Sequence, residues 1–166
     1  ADQWRLYRQF LMLPFPDNVL FLENGHRPVI PNLLRVAEIA WFRGNQWLQW
    51  AAGLAFAVCT VLLGWRVVLR DRAIGSLSQA VCVVTLTLAV FWLANSRMLM
   101  HPNESVHTYL ITMLVVAAGA LGARLTNGAR GIGPEIIAAS AGCFVATFSF
   151  GPGVSLFVAL GLALVI

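Results

Sequence analysis

Run length constrains this sequence more than any other feature. From residue 47 onwards, one apolar stretch follows another, and the first passes from Trp47 to Trp65 without an acidic or basic side chain. Soluble helices rarely sustain about 20 apolar residues, whereas a bilayer crossing requires them. Residues 47–69 read as a first span, with Trp47 and Trp50 anchoring one end and Trp65, Arg66 and Arg70 the other. Residues 74–93 return, 107–125 cross again, and Pro134 opens a span reaching about residue 150. A continuous helix from 131 to 166 would measure roughly 54 Å, too long for one crossing. Gly151-Pro152-Gly153 is therefore read as a turn between two spans, with the break in a discontinuous helix as the alternative. The expected fold is an all-α, polytopic transmembrane bundle of four to five spanning helices.

Composition agrees. Charged residues make up 11% of the chain and hydrophobic ones 59%, against about 25% charged in a soluble domain. Mean hydropathy is +0.77. The net charge of +4 comes entirely from arginine, since the chain has no lysine. Those arginines punctuate the apolar runs, so topology and headgroup contact explain them better than nucleic acid does, and no nucleic-acid partner is expected.

The segment before residue 47 differs. Residues 2–13 place Leu6, Phe10 and Leu13 near one helical face, a helix too short to span and suited to the interface. Pro14 and Pro16 end it, and Asp17-Asn18 reads as a turn. Asn24-Gly25 is a strong turn dipeptide, and Pro31 suits the first turn of a second interfacial helix, 31–43, closed by Gly44-Asn45. That helix carries Leu33, Leu34, Ala37, Ala40 and Trp41 on one side, with Arg35 and Glu38 towards the other. The chain thus divides into an interfacial segment, 1–46, and a helical bundle, 47–166. The start at Ala1 and the apolar run 154–166 are read as cuts, making the chain a fragment of a longer protein. Small-residue spacings at Ala118-xxx-Gly122, Gly119-xxx-Ala123 and Ala138-xxx-Gly142-xxx-Ala146 permit close helix contact.

Arginine distribution sets the orientation. The turns around 66–72 and 124–135 hold five arginines and the turns at 94–107 and 149–153 hold one. The positive-inside rule places the first pair in the cytoplasm. The 1–46 segment, the 94–107 loop and the 149–153 turn then share the extracytoplasmic face. All three histidines and five of the seven carboxylates gather there, which marks a candidate site.

The candidates within it are these. Asp2, Glu23, His26 and Glu104 have the chemistry of general bases or metal ligands. Arg27 offers a forked cation matched to phosphate. Asn24, Asn95, His101 and His107 complete a polar lining for substrate. No HExxH or DxD spacing marks a metal, and the bland reading is a hydrogen-bonded turn that holds the interfacial helices. His107 at a helix start is also a conceivable haem or chlorophyll ligand, although a cap is the commoner role. No cofactor is identified. Cys59, Cys82 and Cys143 lie inside apolar runs and read as small buried hydrophobes, with a shared metal as the remote alternative.

Asp2-Gln3-Trp4, the 14–18 stretch, Asn24-Gly25-His26-Arg27, the 95–104 region and Phe148-Ser149-Phe150-Gly151 together resemble a bacterial family of polytopic membrane proteins. The layout is similar to GT-C glycosyltransferases, which use polyprenyl-phosphate sugars. That resemblance implies a bacterial inner (plasma) membrane location and transfer of a sugar from a lipid-phosphate donor at the outer face. It matches Asp2 to the carboxylate that follows the first spanning helix in that family. It makes Asp2 the base, His26 a helper and Arg27 the phosphate clamp, with Glu23 in the same loop. The paired acidic start usual in the family is not visible. The alternative is a non-catalytic subunit of a larger membrane complex, its interfacial helices serving as docking surfaces. Expected partners are membrane lipids, a polyprenyl-phosphate sugar or other membrane subunits.

Overall fold

The computed structural model describes residues 2–23, 25, 27–92, 95–126, 134–148 and 158, apart from the side chains of residues 2–6, 122–126, 135 and 136. Among these residues the helices run in the order α1 (Asp2–Met12), α2 (Asp17–Leu20), α3 (Val29–Phe42), α4 (Trp47–Arg70), α5 (Ser76–Phe91), α6 (Ser96–Met100), α7 (Pro102–Thr126) and α8 (Pro134–Thr147), and no extended strand is present.

Two helices, α4 and residues 102–121 of α7, are long and apolar enough to cross a membrane. The 24 residues of α4 reach about 36 Å. The described part of the expected second span, α5, has 16 residues, about 24 Å, less than the ~30 Å of a hydrocarbon core. In α8 the apolar portion is shorter still, Ile137–Thr147. The Gly151-Pro152-Gly153 turn and the run after it lie outside the described residues.

Several boundaries differ from the sequence reading, each for a local reason. α3 begins at Val29, with Pro31 inside its first turn, where a missing N–H leaves no intrahelical bond unmade. α7 begins at Pro102, five residues ahead of the expected start, because Pro102 itself occupies the opening position and holds His101 extended before it. The 94–107 loop is therefore a short helix, α6, and a corner. Asp17-Asn18, read as a turn, opens the single-turn helix α2.

α4 is the central post. Its buried side is a seam of Gly53, Ala57, Thr60, Val61 and Gly64. A Cβ at Gly53 would lie 2.1 Å from Ser105 Oγ, and one at Gly64 would lie 2.2 Å from Leu86 Cδ2. The two glycines thus mark where α7 and α5 approach the α4 backbone most closely. Trp65 Nε1 donates to Thr87 Oγ1 at 3.0 Å, adding a polar tie to α5. α8 packs on α7 through Ala139, Cys143 and Ala146 against Ala118, Ile111 and Leu114. Of the expected Ala138-Gly142-Ala146 stripe, Ala146 is in the seam, whereas Ala139 and Cys143 stand in for Ala138 and Gly142, and Ala138 is exposed. Gly119 likewise faces open space, so the contacting face of α7 carries Ala118.

Three contacts bring the chain's distant parts to one end. Val29 N donates to Phe148 O at 2.6 Å, which ties the start of α3 to the end of α8. Tyr109 donates to Val90 O at 3.2 Å, which ties the end of α5 to the start of α7. The third is the polar node around Arg35.

Candidate functional site

α3 is built inside out. Asn32, Arg35 and Glu38 recur every three residues and form its buried side, whereas Leu33, Trp41 and Phe42 are exposed. In water the opposite arrangement would follow from the hydrophobic effect.

Arg35 is 2% exposed, and its neighbours account for that burial. Its Nη1 donates to Glu23 Oε2 at 2.7 Å and to Asn32 Oδ1 at 2.8 Å. Its Nε donates to Asn103 Oδ1 at 2.9 Å. Its Nη2 donates to the same Asn103 oxygen and lies 3.0 Å from His107 Nε2. A guanidinium has five N–H donors; four have oxygen acceptors here, and the fifth faces His107 Nε2, which accepts it in the tautomer protonated at Nδ1. Beside it, the Phe10 ring centroid lies 5.8 Å from Arg35 Cζ, within cation–π range. Asn32 is oriented in turn by donating from Nδ2 to Val19 O at 2.9 Å. One cation thus joins α1, the segment after α2, α3 and α7. Among the described residues Glu23 is its only carboxylate partner. A buried charge needs such pairing, since an unpaired one costs several kcal/mol, on the order of 3–5.

Glu38 is fully buried. Its Oε2 accepts from Leu48 N at 2.7 Å and Gln49 N at 3.1 Å. The first turn of α4 has no capping side chain of its own at Gln46, so Glu38 supplies the anionic cap from the preceding helix. The connection between them is sharp: Arg43, Gly44 and Gln46 all have positive φ.

The sequence candidates fall into three groups. Glu23 and His107 meet at Arg35, from segments far apart in the chain. Asn95, His101 and Glu104 lie nearby at the α5–α6–α7 corner, but their roles are local. Asn95 Nδ2 donates to Ala89 O at 2.6 Å and Val90 O at 3.3 Å, capping the end of α5. Glu104 pairs with the exposed Arg97 at 2.5 Å, a surface bridge worth little. His101 ends α6, its Nδ1 enclosed without a partner among the described residues. Arg27, the expected clamp, is exposed. Asp2 opens α1, with its side chain outside the described residues; Asn24 and His26 lie outside them altogether.

Sequence reasoning assigned no site role to Asn32, Arg35, Glu38 and Asn103. The signal for the first three was their three-residue spacing. The sequence pattern places only Arg35 and Glu38 on that side, where Ile39 and Phe42 blur it, and does not say whether the side faces in or out.

Among the described residues no group of three or more His, Cys, Asp or Glu side chains is placed to hold a metal. Cys143 is buried in α8, while Cys59 and Cys82 are exposed, and all three are free. No protein-family model matches the sequence, no curated protein matches it, and no solved structure matches its fold.

Proposed function

We propose that this chain is a polytopic bacterial inner-membrane protein of GT-C-like layout. It moves a sugar from a lipid-phosphate donor to an acceptor at the extracytoplasmic face. The observation that carries this reading is the gathering of Glu23, Asn103 and His107 around Arg35 at one end of the bundle. It fixes Glu23, in the segment carrying the exposed Arg27, against the mouth of α7. Arg27, not the saturated Arg35, has donors to offer a phosphate. Asp2 then removes the proton from the acceptor hydroxyl as the bond between sugar and phosphate breaks. Glu23 holds its segment in place through Arg35 and does no proton chemistry of its own.

The test is sugar transfer from a lipid-linked donor by the full-length protein in membranes. Asp2→Ala is expected to lower the rate by about 10²-fold or more, as for loss of a general base, and Arg27→Ala to raise KM for the lipid-linked donor. Unchanged transfer in both variants would sink the enzyme reading.

A second reading, a non-catalytic subunit, is favoured by one specific observation: every donor of the buried cation is taken up inside the chain, as in a purely architectural latch. It predicts no transfer by the wild type and stable co-purification with other membrane subunits.

A further inference from the structure

The end of the bundle that holds the Arg35 node has an apolar exterior. Exposed there are Leu11, Met12 and Phe15 around the end of α1, Trp41 and Phe42 at the end of α3, Trp47 and Trp50 at the start of α4, Trp92 after α5 and Met100 in α6. Trp41 is 77% exposed, and Trp47 and Trp50 pack edge to face with centroids 6.3 Å apart. Between the two tryptophan groups stands Arg43, exposed, at the left-handed cap of α3. These side chains come from separate parts of the chain, and the patch is continuous with Trp47, the first residue of a helix long and apolar enough to cross a membrane. Indole rings favour the boundary between headgroups and acyl chains, because one part of the ring is apolar and its N–H needs a polar partner. An arginine at that level finds lipid phosphate.

We infer that the corner 41–50, with its exposed neighbours, docks in the headgroup layer of a bilayer, Trp41, Trp47 and Trp50 lying at the acyl boundary and Arg43 on a lipid phosphate. The inference rests on the membrane half of the proposed function and is independent of sugar transfer. It also bounds a depth. Arg35 lies eight residues before Arg43, just over two turns or about 12 Å along α3, so the node stays within about that distance of the headgroup layer.

The experiment is tryptophan quenching by brominated phospholipids with the full-length protein in vesicles. The Trp41 signal is the difference between wild type and Trp41→Phe, a change at an exposed position that leaves the packing intact. Bromine near the headgroup should quench that signal at least about twofold more than bromine near the acyl terminus, as a shallow position requires. Phosphatidylglycerol vesicles should raise the melting temperature above that in phosphatidylcholine, and Arg43→Gln should abolish the difference. Quenching of the remaining tryptophans with none at Trp41 would overturn the docking and leave the membrane reading standing. No quenching of any tryptophan would overturn both. A lipid preference unchanged in Arg43→Gln would remove Arg43 from the contact.

Discussion

At Arg35, α3 and α7 meet through polar atoms, each donor matched to an acceptor. At Gly53, α4 and α7 meet through the lack of a side chain, which lets Ser105 reach the helix backbone. Both contacts involve the first turns of α7, yet they fail in different ways. A polar node is cooperative: removing one member leaves the others buried and unpaired. A small-residue seam is steric: it fails in proportion to the volume added. Both suit a bilayer, where lipid is as apolar as leucine and helices associate by close packing and hydrogen bonds rather than by expelling water.

The largest effect is expected at the node. Arg35→Ala strands Glu23, Asn32 and Asn103 and should destabilise the folded protein by about 3–5 kcal/mol, the range for breaking one partner of a buried pair. Arg35→Lys should recover only a minor part, because an ammonium has three donors and lacks the planar fork. Denaturation of the purified full-length protein in detergent, followed by tryptophan emission, measures both. A lysine variant as stable as wild type would show that charge, not geometry, holds the node.

The seam should yield less. Gly53→Ala places a methyl group on Ser105 and should cost about 1–3 kcal/mol. Combining it with Ser105→Gly should restore much of the loss, with a coupling on the order of 1 kcal/mol between the two positions. The same pairing tried at the node, Arg35→Ala with Glu23→Ala, should restore less, since the side-chain oxygens of Asn32 and Asn103 lose Arg35 as their donor. If the two double variants recover equally, the contrast between a cooperative node and a steric seam is wrong.

How much of this was legible in advance depended on which rule governed each stretch. The helices follow from apolar run length and from prolines, so α4 was found to within one residue at its C-terminal end. The early segment and the 94–107 region were expected on one side because two crossings separate them in the chain, and Glu23 and His107 do meet at Arg35. Arg35 was placed on the correct helix but on the wrong side of the argument. Amphipathicity identifies two faces without saying which is outside, and in α3 the protein interior is the polar solvent. Asn103 had no signal, because an asparagine after a proline reads as a turn until a buried guanidinium is known to lie opposite. The α8 seam was met at Ala146 but missed by one position at Ala139 and Cys143, because any helix rich in alanine and glycine offers several small-residue stripes.

The smallest effect should be on the outer side of α5. Leu77, Val81, Val84 and Leu88 recur at intervals of three and four residues and are all exposed, Leu77 by 78%. Of the residues in α5, Val90 alone is buried among those described. In water such a stripe would be an aggregation surface. Against acyl chains it is neutral, because methyl groups there exchange one apolar neighbour for another. Val84→Ala and Leu77→Ala should therefore change stability by less than about 0.5 kcal/mol in detergent, as for surface positions with no special contact. Their value lies in a second measurement, the mass of the complex extracted from native membranes by a mild detergent. If α5 faces lipid, Leu77→Trp and Val84→Trp leave that mass unchanged. If α5 is instead a docking face for another subunit, the two bulky substitutions release the partner. They would do so without weakening either the Arg35 node or the Gly53 seam.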